Sequence, residues 1–382
     1  GDACIIAENG SLLSESERFS LNSEIIISDI DVNALRHDKL VNTNINSYES
    51  GNITEVDCLM EPVYPERMYR NFNPHPFIPS KEHENESLAE LFNIQTYGLA
   101  KRLLHTGIDK AVIGISGGLD STLALLVVVK TFDLLGYSRE NIHGITMPGL
   151  GTTGRTYTNA VSLMESAGVT AKEISIVEAV KQHFKDIDHN PDDHDVTYEN
   201  SQARERTQIL MDYANKVSGL VVGTGNMSEL ALGWTTYNGD QMSMYGVNSG
   251  VPKTLVATLV RWIADTQLDE TPRKIVHDIL DTPFSPELLP ADTEGKIAQK
   301  TEHFVGPYEL HDFFLHRMIR YGDRPKRILF LAQQAFAGKY SDDEILKWLK
   351  VFYTRFFSQQ FKRSSMPDGP KVGSVNLSPR GA

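Results

Sequence analysis

The chain has 382 residues, with 37 Lys or Arg and 50 Asp or Glu, so its formal net charge is −13. This length suits two domains, and the acidic balance argues against broad electrostatic binding of nucleic acid. No apolar run approaches the ~20 residues that span a bilayer, no signal pattern starts the chain, and Cys4 and Cys58 are too few for a disulfide framework. We therefore expect a cytoplasmic protein that binds neither nucleic acid nor membrane.

The N-terminal 85 residues carry few elements of regular structure. An Asn9-Gly10 pair between short apolar runs predicts a β-hairpin. A strand over 24–27 and a helix capped by Asp29 or Asp31 should follow. These elements are too few to bury a core of their own, so we expect residues 1–40 to be the end of a larger domain and residues 41–85, rich in Asn, Ser, Pro and Glu, to be a linker.

From residue 86 to residue 382, apolar strands and helices alternate, which is typical of a parallel sheet with helices on both faces. The predicted strands cover residues 110–115, 141–146, 172–175 and 219–223. The predicted helices cover residues 88–106, 121–135, 153–168, 177–184, 199–218, 253–266, 308–321, 325–337 and 342–358. The sequence thus predicts a doubly wound α/β domain with a C-terminal helical extension, whose ligand lies beyond the carboxyl ends of the strands.

The run SGGLDS, which follows a predicted buried strand, has the features of a phosphate site. Its turn, Ser116, Gly117 and Gly118, leads into a helix whose first N–H groups and positive dipole end suit a phosphate. Ser121 adds a hydroxyl, and Asp120 beside a phosphate indicates Mg²⁺. Without a Gly-Lys-Ser/Thr ending or a Gly-x-Gly-x-x-Gly pattern, the run favours neither a P-loop nor a classical dinucleotide fold. A plain strand-turn-helix with capping residues explains fewer of these features.

A second polar segment follows the last predicted strand of the sheet. Here a GTG turn precedes a short helix that is capped by Asn226 or Ser228 and bears Glu229. That carboxylate should lie near the strand ends, where with Asp120 it would complete a magnesium site; a simple first-turn acid is the alternative. Lys253 begins the next helix, and its ammonium can meet a phosphate there.

Four separated segments, SGGLDS, YENSQARER, GTGNMSELALGWTTYNGD and GVPKTL, resemble the synthetase domain of the NAD synthetase family. SGGLDS by itself resembles the signature of the ATP pyrophosphatases, whose fold is the adenine nucleotide alpha hydrolase-like α/β type. The N-terminal ENGSLLSESERF and SDIDVNALR resemble the end of a nitrilase-like glutaminase domain, and FKRSSMPDGPKV with LSPRG resembles the C terminus of the bacterial glutamine-dependent members. The resemblance implies that deamido-NAD is adenylated by ATP, and that ammonia then displaces AMP to give NAD.

The resemblance also assigns site residues. It implies that ATP is held by Gly114, Ser116, Gly117, Gly118, Asp120, Ser121, Thr224, Lys253 and Ser285. It implies that deamido-NAD is bound by Asn200, Arg204, Glu229, Trp234, Thr235, Thr236, Tyr237, Asp240 and Lys362. It further implies that Asp120 and Glu229 ligate Mg²⁺ and, with Lys253, carry catalysis. Ser285 stands where a mobile loop of the family more commonly has Thr, and Thr146 stands before a loop where the ammonia-dependent members have Arg.

A nitrilase-like glutaminase needs a Cys, a Glu and a Lys that precede the hairpin in this family, and Cys4 lies in the hairpin's own first strand. We therefore expect these residues to use free ammonia, whether the chain is a fragment of a glutamine-dependent enzyme or a truncated form.

The family implies homo-oligomers built on synthetase-domain dimers. Two alternatives stay open: an ATP pyrophosphatase that amidates another acid, and a catalytically silent nucleotide-binding module. The run 183–195, which alternates His and Asp, is interpreted as a solvated loop because its spacing matches no metal motif.

Overall fold

The computed structural model describes residues 3–42, 56, 68–152, 154–282 and 304–378. Two compact units are distinguished, one comprising Gly1–Pro74 with Phe313–Lys347 and the other comprising His75–Asp312 with Trp348–Ala382. The strands are β1 (Ile5–Glu8), β2 (Ser11–Glu15), β3 (Ala111–Gly114), β4 (Ile142–Thr146), β5 (Thr170–Glu173), β6 (Leu220–Gly223) and β7 (Tyr245–Gly246). The helices are α1 (Val32–Val41), α2 (Glu84–Thr106), α3 (Leu119–Leu135), α4 (Gly154–Ala167), α5 (Val177–Asp186), α6 (Val196–Val217), α7 (Met227–Leu232), α8 (Lys253–Gln267), α9 (Glu270–Leu280), α10 (Tyr308–Tyr321), α11 (Pro325–Ala335), α12 (Asp342–Ser358) and α13 (Gln360–Ser364).

The larger unit is organised around a five-stranded sheet in the order β5-β4-β3-β6-β7, in which every pairing is parallel. From β3 the chain first moves outward through β4 to β5, and it then returns to the other side of β3 to form β6. The strand order therefore reverses between β3 and β6. In such sheets the crevice beyond the carboxyl ends of the two strands is the place where a ligand binds, and the loops after β3 and β6 lie there.

Alternate residues of the central strands feed two cores, one on each face of the sheet. Ile113 and Val222 belong to a core with apolar residues of α2, α3, α8 and α9. Val112, Ile145 and Val221 belong to a second core with residues of α5 and α6. Helices thus cover both faces, which confirms the predicted doubly wound α/β class.

The smaller unit contains the N-terminal hairpin. Strands β1 and β2 pair antiparallel, and both residues of the predicted turn have positive φ, 46° at Asn9 and 81° at Gly10. This is the geometry that a two-residue hairpin turn requires and that Asn-Gly tolerates. Asp31 caps α1 by accepting from the Ala34 N–H at 2.9 Å, so the second of the two predicted capping residues is the one used.

A buried ionic network lies in the same unit. Arg317 and Arg327 both contact Asp31, at 3.2 and 2.5 Å, and both contact Asp323, at 2.5 and 2.9 Å. Because each carboxylate meets two guanidinium groups, the charges compensate one another and can remain out of water. The network fixes the start of α1 to α10 and α11 within this unit.

The predicted elements are found with small shifts, apart from five differences. The predicted strand over 24–27 is wrong: those residues form no strand, and no described strand pairs with them. The observed β5 covers 170–173 instead of 172–175, whereas β7, α9 and α13 were not predicted. β7 has only two residues, too few for a readable period. In the part of the chain that the structure describes, no helix is both long enough and apolar enough to cross a membrane.

Candidate functional site

The loop after β3 begins the candidate site. Ser116 and Ser121 approach each other with their hydroxyls at 3.2 Å, and the Gly118 N–H donates to Ser116 Oγ at 3.2 Å. Ser121 Oγ in turn donates to the Gly118 carbonyl at 3.0 Å. The two hydroxyls therefore hold the turn as α3 begins, with Ser116 exposed and Ser121 buried. Gly114 lies at the last position of β3, directly before this loop.

Gly117 has a backbone conformation that only glycine adopts readily in this loop. Its φ is +87°, and a Cβ added there would lie 2.1 Å from the Thr156 carbonyl oxygen. We expect Gly117→Ala to add about 1–3 kcal/mol of backbone strain and to weaken the predicted binding of ATP at least about tenfold by displacing the loop N–H groups. Calorimetric titration with ATP and thermal unfolding measure the two effects.

Gly107 offers a matched control for that change. Its φ is +70°, but an added Cβ would meet nothing within 4 Å. Gly107→Ala should therefore cost about 1 kcal/mol of stability and leave ATP binding as it is. Equal ATP affinity in the two variants would show that the close approach at Gly117 does not matter for the ligand.

The centre of the site is a cluster of two carboxylates and one ammonium. Lys253 Nζ lies 2.5 Å from Asp120 Oδ2 and 3.2 Å from Glu229 Oε1. The exposed fractions of the side chains are 12% for Lys253, 22% for Asp120 and 19% for Glu229, so the cluster still opens to solvent. These residues belong to the first turns of α3, α7 and α8, and the positive end of the long helix α3 favours an anionic ligand there.

Two buried amides hold Asp120 in place. Asn226 Nδ2 donates to Asp120 Oδ1 at 2.9 Å, and Asn248 Nδ2 donates to the Asp120 carbonyl at 2.9 Å and to the Thr224 carbonyl at 3.1 Å. Asn226 also caps α7 in a capping box with Glu229. The loops after β3 and β6 are thereby joined at the switch point, with Thr224 in the second of them.

The charges in this cluster are strongly perturbed. Burial, and then the nearby Asp120 charge, raise the pKa of Glu229 to about 7, although Lys253 opposes the rise. Burial lowers the pKa of Lys253, but the carboxylates of Asp120 and Glu229 outweigh it and hold the pKa above the usual value of a lysine. Displaced pKa values in a crevice are typical of functional sites.

A pH dependence of stability follows for the ligand-free protein. Because the folded-state pKa of Glu229 lies above the ~4.3 of an unfolded chain, its contribution to stability is complete below about pH 4 and is lost as the pH rises through about 7. Glu229→Gln should remove this slope, worth about 1–3 kcal/mol between pH 5 and 8. Chemical unfolding at several pH values measures it, with Glu90→Gln, an exposed residue of α2, as control. A slope that survives in Glu229→Gln would contradict the assignment.

The residues predicted to bind deamido-NAD surround the loop 233–240 after α7. Two residues of α6, Asn200 and Arg204, contact this loop. Thr236 Oγ1 donates to Asn200 Oδ1 at 2.7 Å, and Arg204 Nε donates to the Tyr237 carbonyl at 3.2 Å. The Thr236 N–H donates to Asp240 Oδ1 at 2.7 Å. Since Glu229 is the third of the six residues of α7, about 6 Å along the helix axis separates it from the start of this loop at Gly233.

Cations from α12 and α13 fix the end of α7. Lys362 Nζ donates to the carbonyls of Gly233 and Thr235 at 2.8 and 2.6 Å. Arg355 donates to the Leu232 carbonyl at 3.0 Å, and its guanidinium carbon lies 5.0 Å from the centroid of a ring of Trp234. Cations near a helix C-terminus are stabilising, so these residues order the loop from Trp234 onward.

Some site residues were missed from the sequence or cannot be placed. Ser285 lies outside the described residues. The supporting roles of Asn248 and Arg355 depend on contacts between distant segments and leave no local pattern, whereas Asn226 was one of the two predicted caps. Within the described ranges, no group of three or more His, Cys, Asp or Glu side chains is arranged to hold a metal ion. Asp120 and Glu229 are therefore a two-carboxylate pair, the number with which Mg²⁺ is commonly held when phosphates supply further ligands.

The fold and the site define a doubly wound α/β protein. At its topological switch point lie a phosphate-type loop, residues 115–118 between β3 and α3, and the carboxylate pair of Asp120 and Glu229. A family model described as NAD synthase matches residues 91–335. The chain belongs to the NAD synthase family.

Curated relatives agree with this assignment over nearly the whole chain. The glutamine-dependent NAD(+) synthetase of Mycobacterium leprae (strain TN) is 42% identical over 409 residues, covering 99% of this chain and 60% of the relative. The enzyme of the same name from Mycobacterium tuberculosis (strain ATCC 25618 / H37Rv) is 40% identical with the same coverage. The chain thus spans about three fifths of the length of these relatives.

Solved structures share the fold. A glutamine-dependent NAD(+) synthetase from Cytophaga hutchinsonii has a TM-score of 0.62 at 20% identity, covering 77% of this chain and 53% of that one. The NMN synthetase of Francisella tularensis has a TM-score of 0.54 at 22% identity, covering 72% of this chain and 95% of that one. At these identities the likeness concerns the architecture of the sheet and its helices.

Proposed function

We propose that this chain catalyses the ATP-dependent amidation of deamido-NAD to NAD, with AMP and pyrophosphate as the other products. The observation that carries the proposal is the Asp120–Lys253–Glu229 cluster at the mouth of the phosphate-type loop, in a chain of the NAD synthase family. A carboxylate oxygen of the nicotinate ring attacks the α-phosphorus of ATP, and pyrophosphate leaves. Ammonia then attacks the activated carbonyl carbon, loses a proton, and displaces AMP.

The side chains of the loop match the charge changes of the first step. Ser116, Ser121 and the N–H groups at the start of α3 receive the phosphates, and the Lys253 ammonium neutralises the charge that develops on the leaving pyrophosphate. The step needs no protein nucleophile, because the substrate carboxylate attacks directly. Phosphoryl-transfer chemistry of this kind depends on positioning and on charge stabilisation.

The same cluster fits Mg²⁺. Asp120 and Glu229 turn their oxygens toward one cation already, the Lys253 ammonium, and hard oxygen ligands are those that Mg²⁺ prefers. When bound, the ion would neutralise the phosphate charge between ATP and the carboxylates. Asp120 and Glu229 would hold it, while Lys253 would remain available to the phosphates.

The loop 233–240 is proposed to bind deamido-NAD. Tyr237 is 44% exposed and lies 5.3 Å from the Phe361 ring, so an aromatic face is available to a base or a nicotinate ring. Arg204 is also exposed on α6 and can meet a phosphate. Hydrogen bonds within and around the loop stabilise its conformation. The residues that make them complete the proposed contact set: Asn200, Thr235, Thr236, Asp240 and Lys362.

The N-terminal segment is proposed to be the end of a nitrilase-like glutaminase domain, with the synthetase domain over 86–382. Large apolar side chains of this segment are exposed, among them Leu21 at 102%, Ile25 at 87% and Leu40 at 79%. Such a density of exposed apolar surface indicates an interface. We also propose that residues 1–382 by themselves use free ammonia, and that they form dimers through the synthetase domain.

The direct test is an assay of AMP and NAD formation from ATP, Mg²⁺ and deamido-NAD, with ammonium or glutamine as nitrogen source and nicotinate mononucleotide as the competing acid. NAD from ammonium and none from glutamine supports both parts of the proposal. NAD from glutamine refutes the ammonia-only part. AMP formed only with another acid favours a different pyrophosphatase, and no AMP with any acid favours a silent nucleotide-binding module.

A further inference from the structure

Helix α8, which begins with Lys253, lacks a cap of its own. Its N-cap residue is Pro252, and no side chain of that residue accepts a hydrogen bond. The first N–H groups of a helix have no partner within the helix, so they need an acceptor from elsewhere. Two of them, on Lys253 and Thr254, are satisfied by residues of other helices.

The acceptors are Ser228 and Asp312. The Lys253 N–H donates to Ser228 Oγ at 2.8 Å, and the Thr254 N–H donates to Asp312 Oδ2 at 3.0 Å. Thr254 Oγ1 donates to the same oxygen at 2.7 Å, while Ser228 Oγ donates to the other oxygen, Asp312 Oδ1. One carboxylate therefore ties α7, α8 and α10 together.

Asp312 lies directly behind the cluster. Ser228 immediately precedes Glu229, and Thr254 immediately follows Lys253, so each residue that Asp312 binds is the chain neighbour of a charged residue of the site. Asp312 is 1% exposed and both of its oxygens are engaged, which leaves it no direct contact with a ligand.

The same helix contacts the other end of Lys253. Tyr308 lies four residues before Asp312 on α10, a spacing that places both residues on one face of a helix. The Lys253 ammonium lies 5.8 Å from the centroid of the Tyr308 ring. Helix α10 thus holds the residue that follows Lys253, through Asp312, and faces the Lys253 ammonium, through Tyr308.

Resting on the proposed function, we propose that Asp312 is a positioning residue of the reaction. It fixes the spacing between Lys253 and Glu229 through its hydrogen bonds to Thr254 and Ser228. Without this carboxylate, the Thr254 N–H and the Ser228 hydroxyl both lose their acceptor, and the start of α8 shifts relative to α7. The ammonium is then held less closely between the two carboxylates, although every charged group of the site is still present.

The test uses Asp312→Ala, Asp312→Asn and the milder Thr254→Val in the full chain. Asp323→Asn is the matched control, because Asp323 is also a buried carboxylate, 6% exposed, engaged by Arg317 and Arg327. At a temperature where every variant is folded by circular dichroism, kcat and KM are measured with ammonium. The labelling rate of Lys253 by acetic anhydride is measured in parallel by peptide mass spectrometry.

We expect kcat to fall about 100-fold in Asp312→Ala and about tenfold in Asp312→Asn, whose amide oxygen still accepts from Thr254. KM for both nucleotides should stay within about threefold, as should kcat in Thr254→Val and Asp323→Asn. Lys253 should be labelled several-fold faster in both Asp312 variants than in Asp323→Asn or the wild type.

Lys253 labelling that is unchanged in both Asp312 variants overturns the inference, whatever the activities are. Losses of kcat no larger than in Asp323→Asn also overturn it. If the wild-type chain forms no NAD from ammonium, the proposed function fails instead, and the labelling still decides whether Asp312 positions Lys253.

Discussion

Replacement of Lys253 by Met is expected to lower kcat for the proposed reaction by about 10³-fold, the scale on which a charge-stabilising group in a preorganised site acts. Met keeps the length and apolar stem of the side chain but leaves Asp120 and Glu229 facing each other without a cation. Like charges at short distance disfavour ionisation, so the pKa of Glu229 should rise further. Steady-state kinetics with saturating ammonium measures the loss.

Lys274→Met is the control for that variant. Lys274 is also a helical lysine in an ion pair, with its Nζ at 2.6 Å from Glu270 Oε1, but its side chain is 73% exposed. A surface pair of this kind contributes at most about 1 kcal/mol, so kcat should remain at the wild-type value. If Lys253→Met retained more than a tenth of the wild-type kcat, Lys253 would not neutralise the leaving pyrophosphate.

Replacement of Asp120 by Asn should have a comparable effect, a loss of kcat of about 10³-fold. The change is nearly isosteric, but it removes the charge that binds Lys253 and the proposed Mg²⁺. It also turns an amide N–H₂ toward either Lys253 Nζ or Asn226 Nδ2, both of which are donors. The rate should then require a higher Mg²⁺ concentration for half saturation.

Asp133→Asn provides the matched comparison on the same helix, since Asp133 pairs with Arg139 at 2.7 Å while 41% exposed. We expect its kcat and its Mg²⁺ dependence to equal those of the wild type. An Asp120→Asn variant with an unaltered Mg²⁺ dependence would count against Asp120 as a ligand, even if kcat were lower.

The sheet was predictable because its strands are short apolar runs bounded by turn residues. The alternation of strands and helices indicates a parallel doubly wound sheet, and in the structure the strand order reverses between β3 and β6. It brings together Asp120 and Glu229, which are 109 positions apart in the sequence. The strand predicted over 24–27 was wrong because apolar periodicity identifies a segment able to pair, whereas a strand also needs a neighbour.

The support of the site was much less predictable. Asp312 acts as an acceptor for a helix that begins 59 positions earlier, and nothing in its own segment, a helical run of aromatic and apolar residues, indicates that role. Lys362 was assigned to substrate through family resemblance, yet its described contacts are carbonyl oxygens at the end of α7. Such long-range contacts depend on how helices pack and leave no periodic signal in the sequence.

In the proposed reaction the acid substrate itself attacks ATP. The most direct measurement uses deamido-NAD labelled with ¹⁸O in its nicotinate carboxylate, incubated with the protein, ATP, Mg²⁺ and ammonium, followed by mass spectrometry of the AMP. Attack by the carboxylate on the α-phosphorus leaves one labelled oxygen in AMP, and this is the result we predict. Unlabelled AMP, or ADP and phosphate as the products, would contradict the account.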